Sequence, residues 1–208
     1  MSTLEADESK AVRGARLWHQ DCRIWSEIRG QWSVRVPTAG LLPLRGDALL
    51  ELAARNGVSV SPEAKAVFAH PRFGEVTPEN KEMMGRWFHH DLIVLPAVGM
   101  LENDRLDIDS VEAVADVLGF SLPFPEVCLP LRLLISDADL ESLGFEWLLV
   151  LHKPLEDDPR KVPSILAIHR PVDGFDFQVH AHVYSRRLEV PKECGLVLWN
   201  HPHGSEPV

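Results

Sequence analysis

The chain has 208 residues, 45% hydrophobic and 25% charged, a globular composition that excludes a disordered or fibrous protein. Its 31 acidic residues outnumber 21 Lys and Arg, for a net charge of −10. That balance excludes nucleic-acid binding through bulk charge, so any DNA or RNA contact needs a local basic patch. The polar, acidic start at residues 1–8 is not a signal peptide. The longest apolar run, Leu92 to Leu101, falls well short of the roughly 20 residues that cross a bilayer. Three cysteines (Cys22, Cys128 and Cys194) lack C-x-x-C spacing, which fits reduced thiols rather than a disulfide framework or a zinc site. Together these features predict a cytoplasmic chain with no membrane partner.

In chain order, residues 7–30 read as a helix, because Ala11, Ala15, Trp18, Cys22 and Trp25 recur at 3–4 spacing. Trp18, Trp25 and Trp32 lie seven apart, near one line if that helix persists. Such a stripe either packs on the rest of the domain or offers an interface, since Trp is enriched among binding hot spots. Trp32 to Val36 reads as extended and Pro37 to Pro43 as a loop. Asp47 to Asn56 reads as a helix closed by Gly57. A second helix covers Pro62 to Ala69. Thr77-Pro78 opens a third that carries Trp87 and Phe88 to His89-His90. Leu92 to Leu95 reads as a buried strand.

Asp109 with Glu112 resembles a capping box for a helix that Gly119 closes. The stretch Ser110 to Ser121 resembles the opening of a helix-turn-helix DNA reader. The second helix would have to run through Pro123, Pro125 and Pro130 with no basic side chain before Arg132, and a proline inside a helix costs about 3 kcal/mol. A capped helix followed by a proline-rich loop over Leu122 to Pro130 accounts for the stretch better. Beyond Ser136 a short helix reaches Gly144. Strand-like segments then cover Phe145–His152, Ser164–His169, Phe175–Tyr184 and Gly195–Trp199. No internal repeat is evident. The expectation is one α+β domain over residues 1–208, helix-rich over 1–130 and strand-rich over 131–208, with the helical part packed on a mainly antiparallel sheet.

The segment Phe175 to Tyr184 alternates with period two, so Phe175, Phe177, Val179, Ala181 and Val183 face one way. Asp176, Gln178, His180, His182 and Tyr184 face the other. Asp173-Gly174 is a two-residue hairpin turn, which makes paired residue numbers sum to 347. His169 then stands opposite Gln178, on the face of His180 and His182 and diagonal to His180. A three-residue loop would turn His169 to the opposite face. Three imidazoles on one face are candidate ligands for Mg²⁺, Mn²⁺ or Zn²⁺, with positions left for substrate. Such an ion polarises a phosphoryl or carbonyl oxygen or activates water. The plainer account is that these are polar side chains on a solvated sheet face.

Three resemblances attach to these histidines. Gly195 to Gly204, with His201 and His203, resembles the metal loop of JAMM-type metalloproteases, without that family's downstream ligands. Gly174 with His180-x-His182 matches the opening of a cupin motif, whose glutamate is out of place here, with Glu189 seven residues after His182. Leu166-Ala-Ile-His169-Arg-Pro, then His180-Ala-His182-Val, then Arg186-Arg187-Leu188, resembles the metal-site region of MobA/MobL-type relaxases. These are HUH endonucleases, and the similarity covers about residues 127–188. It implies that His169, His180 and His182 hold Mg²⁺ or Mn²⁺ against a scissile phosphodiester of single-stranded DNA. It also implies that Arg170, Arg186 and Arg187 contact phosphates and that a tyrosine attacks.

The family's nucleophile lies near the N-terminus, whereas the only tyrosine here is Tyr184, two residues from His182 on the same strand. Residues 131–208 hold 8 Lys and Arg against 12 Asp and Glu, net −4. The expectation is therefore a metal-binding, phosphodiester-directed protein of HUH-like character, diverged or inactive as a nickase. Two alternatives are a small metallohydrolase and a non-enzymatic interaction or regulatory domain. The latter would bind a partner, or itself, through Trp18, Trp25 and Trp32 or through the proline-rich loop.

Overall fold

The fold is described from a computed structural model, for residues 23–26, 31–36, 45–74, 90–97, 108–153, 155, 163–170, 177–182 and 193–200. It is an α+β arrangement built on an eight-stranded sheet. The strands are β1 (Arg23–Ser26), β2 (Gln31–Val36), β3 (His90–Pro96), β4 (Phe120–Ser121), β5 (Trp147–Leu151), β6 (Ile165–His169), β7 (Val179–His182) and β8 (Cys194–Asn200). Their order is β1-β2-β3-β8-β5-β6-β7, with the short β4 paired to β8. Every pairing among them is antiparallel except β5 with β8.

The first segment departs from expectation. Residues 23–26 form a strand, not the end of a helix, and Trp25 pairs directly with Trp32 of β2. A seven-residue separation suits a heptad stripe, but it equally suits two positions facing each other across a hairpin. The sheet resolves that ambiguity toward pairing. Three strands from the N-terminal half thereby enter the same sheet as the C-terminal ones. Trp18 and residues 77–89 of the next expected helix lie outside the described residues, and His90 begins β3.

The predicted helices at 47–56 and 62–69 are present as α1 (Gly46–Arg55) and α2 (Pro62–Phe68). Gly57 takes φ 72° just past α1, where a left-handed residue closes the last turn without a Cβ clash. Ser61 caps α2 by accepting from the Ala64 N–H, with Pro62 in the first turn. Helix α3 (Ile108–Leu118) already includes Asp109, so Asp109 is a first-turn acid rather than the cap. Past Gly119 the chain becomes β4, which pairs Ser121 with Trp199 of β8. A recognition helix does not follow α3.

The proline-rich loop was expected to hold no regular helix. Instead a 3₁₀ turn (Pro125–Val127) leads into α4 (Cys128–Leu134). Pro130 is the third residue of α4, where a backbone N–H has no intrahelical acceptor to lose. Helix α5 (Asp137–Leu143) begins with a capping box between Ser136 and Asp139 and ends at Gly144 with φ 75°.

Strand alternation divides the core between the two faces of the sheet. Leu148 and Val150 of β5, Leu166 and Ile168 of β6, and Val179 of β7 meet α1, α2 and α4 through Leu49, Phe68, Leu129 and Leu131. Leu149, Leu151, Ile165, Ala167, Leu196 and Leu198 lie on the other face with Val111 and Ala115 of α3. Strands β5 and β6 are buried on both faces and read accordingly as continuous apolar runs. Gly195, in the middle of the sheet, has no room for a side chain. An added Cβ would lie 2.6 Å from Val94 Cγ1 and 2.9 Å from Leu148 Cδ2. Among the described residues no helix is long and apolar enough to cross a membrane.

Candidate functional site

Strands β6 and β7 pair Ile165 with His182, Leu166 with Ala181, Ala167 with His180 and Ile168 with Val179. Every pair sums to 347, the register that a two-residue turn at Asp173-Gly174 requires, although the turn itself lies outside the described residues. The His169 N–H donates to the Gln178 carbonyl at 3.0 Å, which extends the ladder by one position. His169, His180 and His182 therefore share one face, the face of Ala167 and α3.

Their environments differ. His169 is 1% exposed, while His180 and His182 are half-buried. The His169 and His180 rings lie 4.8 Å apart between centroids, and those of His180 and His182 lie 6.5 Å apart. Trp147 of β5 stands directly opposite His169, with its ring 4.4 Å away. Phe177 meets the His180 ring edge-on at 5.7 Å. The result is a row of rings running across β5, β6 and β7.

Carbonyl oxygens only accept, so they fix tautomers. The Nδ1–H of His169 donates to the Arg170 carbonyl, and the Nε2–H of His180 donates to the Phe177 carbonyl at 2.7 Å. In its neutral form His180 then carries its lone pair on Nδ1. Burial holds the His169 pKa below the ordinary histidine value, opposed by its bond to the Arg170 carbonyl and helped by the nearby charge of His180. Burial likewise lowers His182, with His180 acting in the same sense and Glu63 against it. Neutral imidazoles, the form that ligates metal, are thus favoured at His169 and His182.

Glu63 reaches the site because the segment before α2 runs beside β7. Val60 bridges Val179 in parallel, and the Ser61 N–H donates to the Val179 carbonyl at 2.9 Å. The chain then turns into α2, and Glu63 in its first turn lies near enough to His180 and His182 to interact with both. The Glu63 pKa is lowered by its own backbone hydrogen bond and the Ser61 hydroxyl, with smaller effects of His180 and His182.

The remaining predicted site residues are dispersed or not described. Arg170 turns to α5, where Nη1 lies 3.7 Å from Glu141. Tyr184, Arg186, Arg187, His201 and His203 lie outside the described residues. Cys128 and Cys194 are buried free thiols, and burial pushes the Cys194 pKa up to about 12 and raises Cys128 as well. Both are therefore unreactive at neutral pH.

Sequence reasoning missed Trp147, Glu63 and Arg132. The long connection between β5 and β6 left their register open, and nothing in Ser61-Pro62-Glu63 marks its neighbour on β7. Arg132 did leave a signal, as a lone charge inside the apolar run Cys128–Leu134.

Among the described residues no three His, Cys, Asp or Glu side chains already converge on one metal position. The His169–His180 separation nevertheless matches that of two imidazoles sharing an ion at about 2.1 Å from each nitrogen, whose centroids stand about 5 Å apart. Comparison with known proteins gives no match to a family model, a curated protein or a solved structure.

Proposed function

We propose that the β6–β7 face binds a divalent cation, Mg²⁺, Mn²⁺ or Zn²⁺, and presents it to a phosphodiester ligand such as single-stranded DNA. The observation that carries the reading is the 347 register, which sets His169 and His180 on one face with ring centroids 4.8 Å apart. Each of the two rings also has one nitrogen on a backbone carbonyl, the outer-sphere arrangement that orients metal-ligating histidines. His182, half-buried on the same face, completes the set by turning about its side-chain torsions. The cation would act as a Lewis acid on a phosphoryl oxygen.

Phosphodiester as the ligand class comes from the relaxase resemblance over about residues 127–188. The reading does not include strand nicking. Tyr184 is a poor in-line nucleophile beside His182, and the acidic balance gives DNA no broad basic surface.

Calorimetric titration with Mn²⁺, Mg²⁺ and Zn²⁺ tests the cation. We expect one site per chain in the wild type and at least tenfold weaker binding in a His180→Ala/His182→Ala variant. Equal binding by the two proteins, or none by either, rules the reading out. Labelled single-stranded DNA incubated with the metal-loaded protein should bind without forming a covalent adduct.

A second reading has one observation in its favour. Trp25 and Trp32 pair across β1 and β2, and β1 ends the strand order of the sheet. A protein partner or a second copy would join β1, the end of the strand order among the described residues, as edge strands invite pairing. Concentration-dependent association that weakens in Trp25→Ala would favour it.

A further inference from the structure

Two arginines near His169, Arg132 of α4 and Arg170 just past β6, have guanidinium groups that are incompletely satisfied. Arg132 of α4 is 7% exposed. Its Nη1 donates to the Ile135 carbonyl at 2.7 Å and its Nη2 to Asp137 at 2.5 Å, while its buried Nε has no hydrogen-bond partner. Arg170 follows His169 directly. Its Nη1 lies 3.7 Å from Glu141, and its buried Nε also has no partner.

Asp137 and Glu141 are four residues apart on α5, so they share one side of that helix about 5–6 Å from each other. The two guanidiniums therefore reach the same side of α5. His169 is close enough to feel the Arg132 charge, which adds to the lowering of its pKa. Leaving a buried N–H without an acceptor is destabilising, and more so for a charged group. Two such donors, on cations that reach one side of α5, ask for an acceptor that carries negative charge.

We propose that Arg132 and Arg170 form an oxyanion site for a phosphoryl group at the end of β6, beside His169. A tetrahedral oxyanion has enough oxygens to take an N–H from each Nε, and guanidinium suits it better than ammonium because its donors are planar and fixed. Asp137 accepts from Arg132, and the exposed Glu141 carboxylate lies 3.7 Å from Arg170. The site stands apart from the cation reading and does not need it. The same chemistry fits free phosphate and a phosphodiester.

The test uses the full chain in chelator-containing buffer, so that no divalent cation contributes. Inorganic phosphate and a thymidine dinucleotide are titrated separately while the arginine Nε–H signals are followed by ¹⁵N NMR. Sodium chloride at matched ionic strength is the control. We expect saturable shifts of the Arg132 and Arg170 Nε–H signals, and at least tenfold weaker binding in Arg170→Gln.

Tighter binding of the dinucleotide assigns the site to phosphodiesters, and tighter binding of phosphate assigns it to free phosphoryl groups. Shifts no larger than those from chloride overturn the proposal, as does wild-type affinity in Arg170→Gln. The wild-type NMR reading decides the matter even if an Arg132 variant fails to fold.

Discussion

Acidification should weaken this protein through His152 in a way that one substitution can isolate. His152 is fully buried just past β5; its Nδ1–H donates to the Lys153 carbonyl at 2.9 Å, and Nε2 has no partner. Burial lowers its pKa from 6.5 to about 4. Because the folded value is depressed, the unfolded chain takes up this proton first. The contribution is present above pH 6.5 and is lost as pH falls toward 4.

Between pH 7 and 5 the unfolded ring is protonated over about one and a half pH units while the folded ring stays neutral. That removes about 2 kcal/mol, at about 1.4 kcal/mol per unit. Glu126 works in the opposite sense, since burial raises its pKa and its contribution is lost as pH rises. Lowered pKa values at His169 and His182 add to the acid sensitivity.

The His152 share is therefore read as a difference between proteins. Urea unfolding of the wild type and of His152→Gln is measured at pH 7, 6, 5 and 4. The stability gap between them should shift by about 2 kcal/mol in favour of the variant from pH 7 to pH 5. A gap independent of pH, or an NMR titration of His152 near 6.5, refutes the reasoning.

Three further outcomes follow from packing and capping. Gly195→Ala should destabilise by about 1–3 kcal/mol in chemical denaturation, because its Cβ meets the buried side chains of Val94 and Leu148. Ser136→Ala should cost about 1 kcal/mol by removing the acceptor for the Asp139 N–H. Pro130→Ala should cost about 1–2 kcal/mol through the buried methylenes it removes, because a proline in the first turn of α4 displaces no helical hydrogen bond; a gain in stability would contradict that placement.

Local signals in the sequence translated well into structure. Asp173-Gly174 with the alternation after it was enough to set the β6–β7 register and bring His169 to the face of His180 and His182. Gly57, Gly119 and Gly144 end their helices as their positions predict. What failed depended on information from distant parts of the chain. Trp25 and Trp32 fit a helical stripe until β1 and β2 pair them. Pro130 argues against helix only when its place within the helix is unknown.

The insertion of β8 between β3 and β5 has no local signature, so the strand order could not be read. For the same reason Trp147 could not be placed beside His169, nor Glu63 near His182.

The central claim is that the β6–β7 face takes a divalent cation, and paramagnetic broadening by Mn²⁺ tests it most directly. At substoichiometric Mn²⁺ the imidazole signals of His169, His180 and His182 should broaden before those of His70 and His152. Broadening that begins elsewhere, or none at saturating Mn²⁺, contradicts the account.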